Sequence, residues 1–278
     1  MQSKSKAAVK FSDKFFIGTS GWQYKSWRGD FYPRELPVKS WLAYCAENFN
    51  SIEVNSSFYH LPKPEYLRAW AATVLPINSR FQFALKLYMR FTRFKKLLLE
   101  KDDLRLLGDF LKNARELGPA LGPILVQLPP NLKFDPDRLK NFLRSANKIA
   151  AGLTGPARLG SGRLAAPKKR KNRFRFAIEF RHSSWLQPKT YKILKQAQAA
   201  FAISDAPRWP TVMLKTADFV YIRFHGKPQM FASPYGRTAL KKWAKKILAL
   251  KPGKVYGYFN NDAWGHAPHD ALTLAKLL

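Results

Sequence analysis

The stretch Phe174–Arg181, with the sequence FRFAIEFR, decides the fold class of this chain. Every second residue is apolar, which gives one hydrophobic side made of Phe174, Phe176, Ile178 and Phe180. The other side carries Arg175, Ala177, Glu179 and Arg181. Side chains of a strand alternate between its two faces, so the pattern predicts a strand that rests its apolar face on helices. The charged face then points to the axis of a barrel.

Seven further segments have the composition of strands, and segments with helical spacing separate most of them. The eight candidates are Phe15–Ser20, Ser51–Asn55, Phe81–Leu87, Pro123–Leu128, Phe174–Arg181, Ala200–Asp205, Phe219–His225 and Val255–Asn260. Strands that alternate with helices over about 250 residues are typical of a (β/α)8 barrel. The sequence therefore predicts an α/β fold with a single TIM-type barrel. The interval between Asp205 and Phe219 is short and contains proline, which predicts an irregular unit there.

Two segments lie outside this alternation. The composition of residues 1–14 predicts a basic N-terminal tail, which one domain over residues 15–278 follows. An insertion at about residues 152–173 combines Gly, Ser and Ala with a dense basic run, a composition typical of loops. The first residues lack the apolar stretch of a secretory signal, and prolines break the longest uncharged stretch, Leu117–Leu132. We therefore expect a cytoplasmic protein without membrane contact.

The charge of the chain is unusual. Its 278 residues include 49 Lys and Arg but 18 Asp and Glu, a formal net charge of +31. Such a surface attracts nucleic acid without sequence preference, although a general bias toward basic residues is the alternative explanation. The hydrophobic fraction of 46% excludes wholesale disorder, and the one cysteine excludes a disulfide scaffold or a thiolate-rich metal cluster.

Charged side chains on the inner faces of the predicted strands gather toward the strand ends. They are Glu53, Lys86, Glu179, Arg181 and Arg223. Catalytic groups of such barrels stand at the C-terminal ends of the strands. Buried charges need partners or ligands, because desolvation costs several kcal/mol per ion. The cluster is therefore either a ligand site or a self-neutralising network that ties the strands together.

The residue types in this cluster favour an anionic ligand. Lys and Arg donate hydrogen bonds to phosphate or carboxylate, and Arg does so with two parallel bonds. The same alternation adds neutral groups from Ser20, Asn55, Gln127 and Asn260. Glu53 and Glu179 are predicted as general acid and base. His225 is predicted as a switchable proton carrier, with a hydrogen-bonded barrel histidine as the alternative.

No cofactor is predicted, and a divalent metal has only weak support. Oxygen and nitrogen donors at strand ends are the ligand types of Mg, Mn or Zn sites. The residues of this kind are Glu53, Glu179, His225 and Asp262. The chain has neither HExxH nor CxxC, and its glycines do not form a phosphate-binding motif.

Seven stretches of the chain carry a more specific signal. They are IGTSGWQYKSWRGDFYP (17–33), FNSIEVNSSFYHLP (49–62), FQFALK (81–86), PILVQLPP (123–130), AIEFRHSSW (177–185), YIRFHG (221–226) and YGYFNNDAWGHA (256–267). In this order they resemble the YecE-like family, which is also called domain of unknown function 72. The resemblance implies a single TIM-type barrel and supplies no established reaction. The polar positions of the family motifs fall on Ser20, Trp22, Glu53, Asn55, Tyr59, Lys86, Gln127, Glu179, Arg181, Trp185, Arg223, His225, Asn260 and Asn261.

Aromatic residues also follow several predicted strand ends. Trp22, Tyr59 and Trp185 join the expected substrate-binding residues, and Trp27 and Trp264 hold similar positions. Aromatic rings beside cations stack on sugars or bases. The alternative is a hydrophobic lid that closes the barrel mouth.

Two functions of different classes fit these patterns. The first is an enzyme, of the hydrolase, lyase or isomerase class, that binds a phosphate- or carboxylate-bearing molecule at the C-terminal face of the barrel. The second is a nucleic-acid-binding protein whose barrel interior is mainly structural. Its predicted phosphate contacts are Lys168, Lys169, Arg170, Lys171 and Arg173, for which a solvated loop is the alternative. Four lysines also share one face of the last long helix: Lys241, Lys242, Lys245 and Lys246.

Overall fold

A closed barrel of eight parallel strands forms the centre of the protein, in a computed structural model that describes residues 12–153 and 174–278. The strands are β1 (Phe15–Ser20), β2 (Ser51–Val54), β3 (Gln82–Lys86), β4 (Leu121–Gln127), β5 (Phe176–Glu179), β6 (Ala200–Asp205), β7 (Phe219–Phe224) and β8 (Lys254–Phe259). Each strand pairs with the next one along the chain, and β8 pairs with β1. The predicted TIM-type barrel is confirmed.

Helices cover the outside of the barrel. They are α1 (Trp41–Asn48), α2 (Ser56–Tyr59), α3 (Pro64–Val74), α4 (Lys101–Ala114), α5 (Pro136–Gly152), α6 (Pro188–Ala197), α7 (Gly236–Ala249) and α8 (His266–Leu277). Three of them, α3, α5 and α6, begin with proline, whose fixed φ suits the first helical turn. No helix in the described ranges has both the length and the apolar character needed to cross a membrane.

The connection between β6 and β7 is irregular, as predicted. Residues 206–218 contain no helix, and Pro207 and Pro210 each lack the N–H group that a helical ladder uses. Trp209 lies between these prolines and is only half-buried. A loop with an aromatic side chain therefore takes the place of the helix that would otherwise follow β6.

Two apolar layers make up the core. The outer layer lies between strands and helices and contains residues such as Ile178, Phe83 and Val126. The inner layer fills the barrel axis and includes Phe16, Phe219, Tyr221, Tyr256 and Tyr258. Large inward side chains close the lower and middle barrel, as is usual for eight strands.

Strand register brings the polar residues of the mouth to one level. Ser20 pairs with Glu53, Gln127 with Glu179, and Ser204 with Arg223. Each of these residues lies at or near the carboxyl end of its strand. The basic run from Lys168 to Arg173, and the first eleven residues of the predicted tail, lie outside the described residues.

Candidate functional site

Arg223 forms the centre of the polar cluster in the barrel mouth. Its side chain is 2% exposed and bridges two fully buried carboxylates. Nε lies 2.9 Å from Oε2 of Glu53, and Nη2 lies 2.7 Å from Oε1 of the same residue. Nη1 donates to Oε2 of Glu179 at 2.8 Å. Paired bonds of this kind compensate the desolvation of a buried guanidinium. The barrel thus contains the ion-pair network that ties strands β2, β5 and β7 together.

Glu53, on β2, is held in its ionised form. The hydroxyl of Tyr221 donates to Oε2 at 2.6 Å, and the hydroxyl of Ser20 donates to Oε1. Asn55 in turn donates to the Ser20 hydroxyl at 2.8 Å. Burial alone would raise the pKa of Glu53, but the charge and hydrogen bonds of Arg223, together with the two hydroxyls, bring it below its ordinary value.

Glu179, on β5, favours its ionised form even more strongly than Glu53 does. Oε2 accepts from Gln127 at 2.8 Å, and Oε1 accepts from Arg181 at 2.9 Å and from Ser204 at 3.2 Å. Burial opposes ionisation, yet the nearby charges of Arg181 and Arg223 outweigh it and hold the pKa of Glu179 well below its ordinary value. This carboxylate is therefore charged at neutral pH and has donors on both oxygens.

This hydrogen-bonding pattern does not favour the acid–base role predicted for the two glutamates. An efficient proton carrier has a pKa near the operating pH and must reach the reacting atom. Glu53 and Glu179 have lowered pKa values and no exposed surface. Their geometry suits a different task, which is to fix the Arg223 guanidinium and set the charge of the mouth.

Lys86 is a cation of the mouth that has no carboxylate partner. It ends β3, is partly buried, and its Nζ lies 4.0 Å from the ring centre of Phe58. Within residues 12–153 and 174–278, no carboxylate lies within 4 Å of this nitrogen and no acceptor forms a hydrogen bond with it. Burial lowers the pKa of Lys86 to about 8, with help from the charge of Arg223 and against the charges of Glu179 and Glu53.

Arg181 and Trp209 form one wall of the mouth. The Arg181 guanidinium carbon lies 4.6 Å from the Trp209 ring centre, and its Nε and Nη2 both donate to Glu179. Nη1 has no hydrogen-bond partner in the described part of the chain. A cavity of about 260 Å³ adjoins this wall, with Ser204 and Phe201 in its lining. The Arg181 side chain is 17% exposed, so part of it can meet a ligand.

His225 is buried beside the network. Its Nδ1 lies 3.0 Å from the amide nitrogen of Asn260, which assigns the ring proton to Nε2 because the amide nitrogen only donates. Nε2 lies 3.6 Å from Oε1 of Glu179 and has no hydrogen-bond partner among the described residues. Burial lowers the pKa of His225, so the ring is neutral at pH 7. Its position behind the network fits a buried histidine that a ligand does not reach directly.

Two of the predicted aromatic contacts lie in the outer core. Trp185 is fully buried, stacks on Phe180 and donates its indole N–H to the Leu132 carbonyl at 2.7 Å. Trp22 is 7% exposed and packs edge-on against Trp70 of α3. Neither ring faces the mouth, because the chain leaves the strand pleat after β1 and β5 and the alternation no longer applies. The packing of these two rings therefore suits a structural role, and their binding of substrate stays a prediction.

Tyr59 and Asn261, which are also predicted to bind substrate, have opposite surroundings. Tyr59 is 57% exposed at the end of α2 and packs edge-on against Phe58. Asn261 is fully buried and donates to Asp270 of α8 at 2.8 Å and to the Ser233 carbonyl at 3.0 Å. Asn261 therefore joins the end of β8 to α8 and is not free to hold a ligand through its amide nitrogen.

Asp262 and Tyr24 are mouth residues that lie outside the set of substrate contacts predicted from the sequence. The indole N–H of Trp27 donates to Oδ1 of Asp262, and burial raises the pKa of this carboxyl to about 6. Tyr24 donates to the Ser20 carbonyl at 2.6 Å, and burial, with Asp262 next, raises its pKa to about 12. The loops after β1 and β8 bury both groups, and a linear sequence does not reveal that packing.

Glu53, Glu179, His225 and Asp262, the candidate metal ligands, are not grouped around a common point in the described residues. In the described ranges no three His, Cys, Asp or Glu side chains are arranged to hold an ion. Glu53 and Glu179 both bind Arg223, and Asp262 binds the Trp27 indole.

Comparison with known proteins places this barrel in a family. The family described as "Protein of unknown function DUF72" matches residues 16–278. The UPF0759 protein YecE of Escherichia coli K12 is 23% identical over 236 residues, which is 84% of this chain and 80% of the relative. A DUF72 family protein of Thermotoga maritima superposes with a TM-score of 0.74 at 23% identity, covering 95% of this chain and 98% of its own. A DUF72 family protein of Enterococcus faecalis superposes with a TM-score of 0.74 at 18% identity, covering 95% of this chain and 95% of its own. The chain therefore belongs to the DUF72 family, whose members share the barrel and whose description assigns no reaction.

Proposed function

We propose that the barrel mouth binds a small molecule that bears a phosphate or carboxylate group, and that the protein is an enzyme acting on it. Lys86 and Arg181 would contact the anion. Gln127, Asn55 and Asn260 are partly exposed around them and would orient the rest of the molecule. Asp262 would carry protons, since burial raises its pKa to about 6 and it retains a partly exposed side chain.

One observation carries this proposal, namely the unpaired ammonium of Lys86. The contact with the Phe58 ring compensates in part for the water that this cation loses, but a ring offers no hydrogen-bond acceptor to its N–H groups. Glu53 and Glu179 favour the charged form of Lys86 from a distance, but both are paired with Arg223 and neither forms an ion pair with Lys86. An anionic ligand between Lys86 and the free Nη1 of Arg181 would supply the missing partner.

The charges of the barrel mouth nearly balance. Lys86, Arg181 and Arg223 give three positive charges, against the two of Glu53 and Glu179. His225 adds none, because burial keeps it neutral. Asp262, with a pKa of about 6, is mostly ionised at pH 7 and brings the sum close to zero. The preference for an anion therefore rests on the local position of Lys86 and Arg181, whereas net charge does not decide it.

Calorimetric titration with inorganic phosphate and with succinate tests the proposal at constant ionic strength. Constant ionic strength matters because a protein of charge +31 also responds to general screening. We expect saturable binding to the wild type, at least tenfold weaker binding to Lys86→Met, and unchanged binding to Lys112→Met, whose lysine is exposed on α4. Equal binding to all three proteins would contradict the proposal.

A nucleic-acid function is the second candidate, and the surface of α7 favours it. Lys241, Lys242, Lys245 and Lys246 are all exposed on one side of this helix. Three of them line a shallow groove of about 340 Å³ with Leu248 and Leu277. The predicted basic arm from Lys168 to Arg173 would add further phosphate contacts. Counterion release makes each lost phosphate contact visible as a change in salt dependence.

Salt-dependent binding of a short single-stranded oligonucleotide separates these candidates. If α7 binds phosphates, replacing its four lysines by Ser should reduce the slope of log K against log salt by about 3, at roughly 0.7 per contact. A parallel variant with Ser at the five basic positions from Lys168 to Arg173 tests the arm. If both variants retain the wild-type slope, the nucleic-acid candidate fails, and Lys86→Met should not affect this assay.

A further inference from the structure

The Lys86 amine has the surroundings of a nucleophile as well as those of a cation. Its Nζ stands over the Phe58 ring in the barrel mouth, and no acceptor in the described ranges holds its protons. Lysines that are desolvated beside other cations lose their proton more readily and attack carbonyl groups. Arg223 and Arg181 are the neighbouring cations, and both act on Lys86 in this direction.

We infer that the Lys86 amine forms an imine with the carbonyl group of a small oxo acid whose acidic group is held by Arg181. The inference rests on the proposed anion site and names its substrate class. Arg181 is suited to the acidic group because its guanidinium stays charged and has Nη1 free. The charges of Arg181 and Lys86 interact across the mouth, so the Lys86 amine would meet the oxo carbon of the same molecule.

The covalent step balances without any co-reactant. The neutral amine adds to the carbonyl carbon, a C–N bond forms, and the carbonyl oxygen takes a proton to give a carbinolamine. Loss of water from this intermediate leaves a protonated imine. Overall, one ammonium and one carbonyl give one iminium and one water, so the net charge of the mouth does not change. The iminium withdraws electrons from the adjacent carbon, which favours lyase chemistry among the classes predicted from the sequence.

We expect imine formation to be selective for Lys86 because its pKa is lower than that of an exposed lysine. A solvent-exposed lysine has a pKa of about 10.4, so at pH 7.5 about 0.1% of its molecules carry a free amine. Burial lowers the pKa of Lys86 to about 8, which leaves about a quarter of it free at that pH. Lower basicity weakens nucleophilicity in part, and accessibility within the mouth limits the rate. We still expect Lys86 to react at least tenfold faster than an exposed lysine.

Borohydride trapping with pyruvate tests this inference on the full chain. The protein is incubated with pyruvate and sodium borohydride at pH 7.5, digested, and analysed by peptide mass spectrometry for N-carboxyethyl-lysine. We expect modification of Lys86 at least tenfold above that of Lys245 in the same sample. The modification should increase from pH 7 to pH 9 with a midpoint near 8. Equal modification of the two lysines would overturn the inference.

Lys86→Arg separates this inference from the proposed function. Arginine keeps the positive charge but forms no imine under these conditions, so the variant should bind phosphate and lose the site-specific adduct. If the wild type binds phosphate at Lys86 but gives no selective adduct, the imine is excluded and the anion site stands. If the wild type does neither, both proposals fail. Thermal unfolding of each variant verifies that it is folded.

Discussion

Arg223 is the residue on which the buried charge of the barrel depends. Its removal leaves two fully buried carboxylates without their shared cation. Breaking one partner of a buried ion pair costs about 3–5 kcal/mol, because an uncompensated charge remains. We expect Arg223→Met to lower the free energy of unfolding in urea by this amount.

The matched control for Arg223 is an arginine on the surface. Arg105 pairs with Asp102 at 3.8 Å, and both side chains are at least 80% exposed. Exposed pairs contribute about 0–1 kcal/mol, so Arg105→Met should leave the free energy of unfolding almost unchanged. A loss of less than 1 kcal/mol in Arg223→Met would show that the network is not a structural necessity.

Glu179 gives the protein a specific acid sensitivity. Its pKa lies well below the ordinary value in the folded chain, so the unfolded chain binds this proton more readily. The stabilisation by Glu179 is therefore complete above its unfolded pKa of about 4.3 and is lost as the pH falls toward the folded value. We expect the wild type to be more stable than Glu179→Gln at pH 7, with a difference that shrinks below pH 4. Urea unfolding at pH 7, 5.5, 4 and 3 measures it, and a difference that grows on acidification would refute the assignment.

At the scale of elements, the close contact between β1 and β2 depends on a glycine. A Cβ atom added at Gly18 would lie 1.8 Å from the Ser51 carbonyl oxygen, which belongs to the paired backbone of β2. The strands would have to separate, and overpacking of a core costs typically 1–3 kcal/mol or more. We expect Gly18→Ala to destabilise the protein by at least 3 kcal/mol in thermal or urea unfolding.

Gly152→Ala is the control for this substitution. Gly152 ends α5, and an added Cβ would meet nothing within 4 Å there. Alanine is a better helix former than glycine by about 1 kcal/mol, so this variant should be equally or slightly more stable. If both variants lose a similar free energy of unfolding, the β1–β2 contact is not the cause of the destabilisation in Gly18→Ala.

The strands could be predicted from sequence because alternation is a local property. FRFAIEFR and YIRFH place their polar side chains by period two, and Glu179 and Arg223 indeed meet on the inner face. The prediction does not extend past the strand ends. Trp185 follows β5 in a short turn, and contacts with Leu132 and Phe180 decide its direction. The raised pKa of Asp262 likewise depends on burial beside Trp27, which is distant in sequence.

The roles within the site could be predicted only in part. Residue types alone made Glu53 and Glu179 acid–base candidates, whereas hydrogen-bond geometry determines that both stay ionised. Sequence also does not distinguish Arg223, which is saturated by carboxylates, from Lys86, which is not. Those distinctions arise from distances of a few ångström between strands that are far apart in the chain.

The net charge of +31 on the protein makes its thermal stability depend on the salt concentration. Self-repulsion acts over a screening length of about 30 Å at 0.01 M salt and about 8 Å at 0.15 M. We expect the melting temperature to rise by several degrees between 10 and 200 mM NaCl. Calorimetric melts at four salt concentrations measure this rise.

Two variants show where the salt effect originates. Lys86→Met should show the same rise as the wild type, because one charge in the barrel mouth contributes little to the total repulsion. The variant with Ser at all four α7 lysines should show a smaller rise, because neighbouring like charges repel most strongly. A melting temperature independent of NaCl in the wild type would show that the surface charge is already compensated.

Direct titration of the Lys86 amine tests whether this residue is a cation that lacks an acceptor and binds an anion. The measurement follows the Cε and Hε signals of ¹³C-labelled lysine by NMR from pH 6 to 11, with Lys86→Met identifying the signal. We expect a pKa of about 8 without ligand and a higher pKa in saturating phosphate, because the anion favours the charged form. A pKa of about 10.4 that phosphate does not change would show that Lys86 is an ordinary solvated lysine and does not bind the anion.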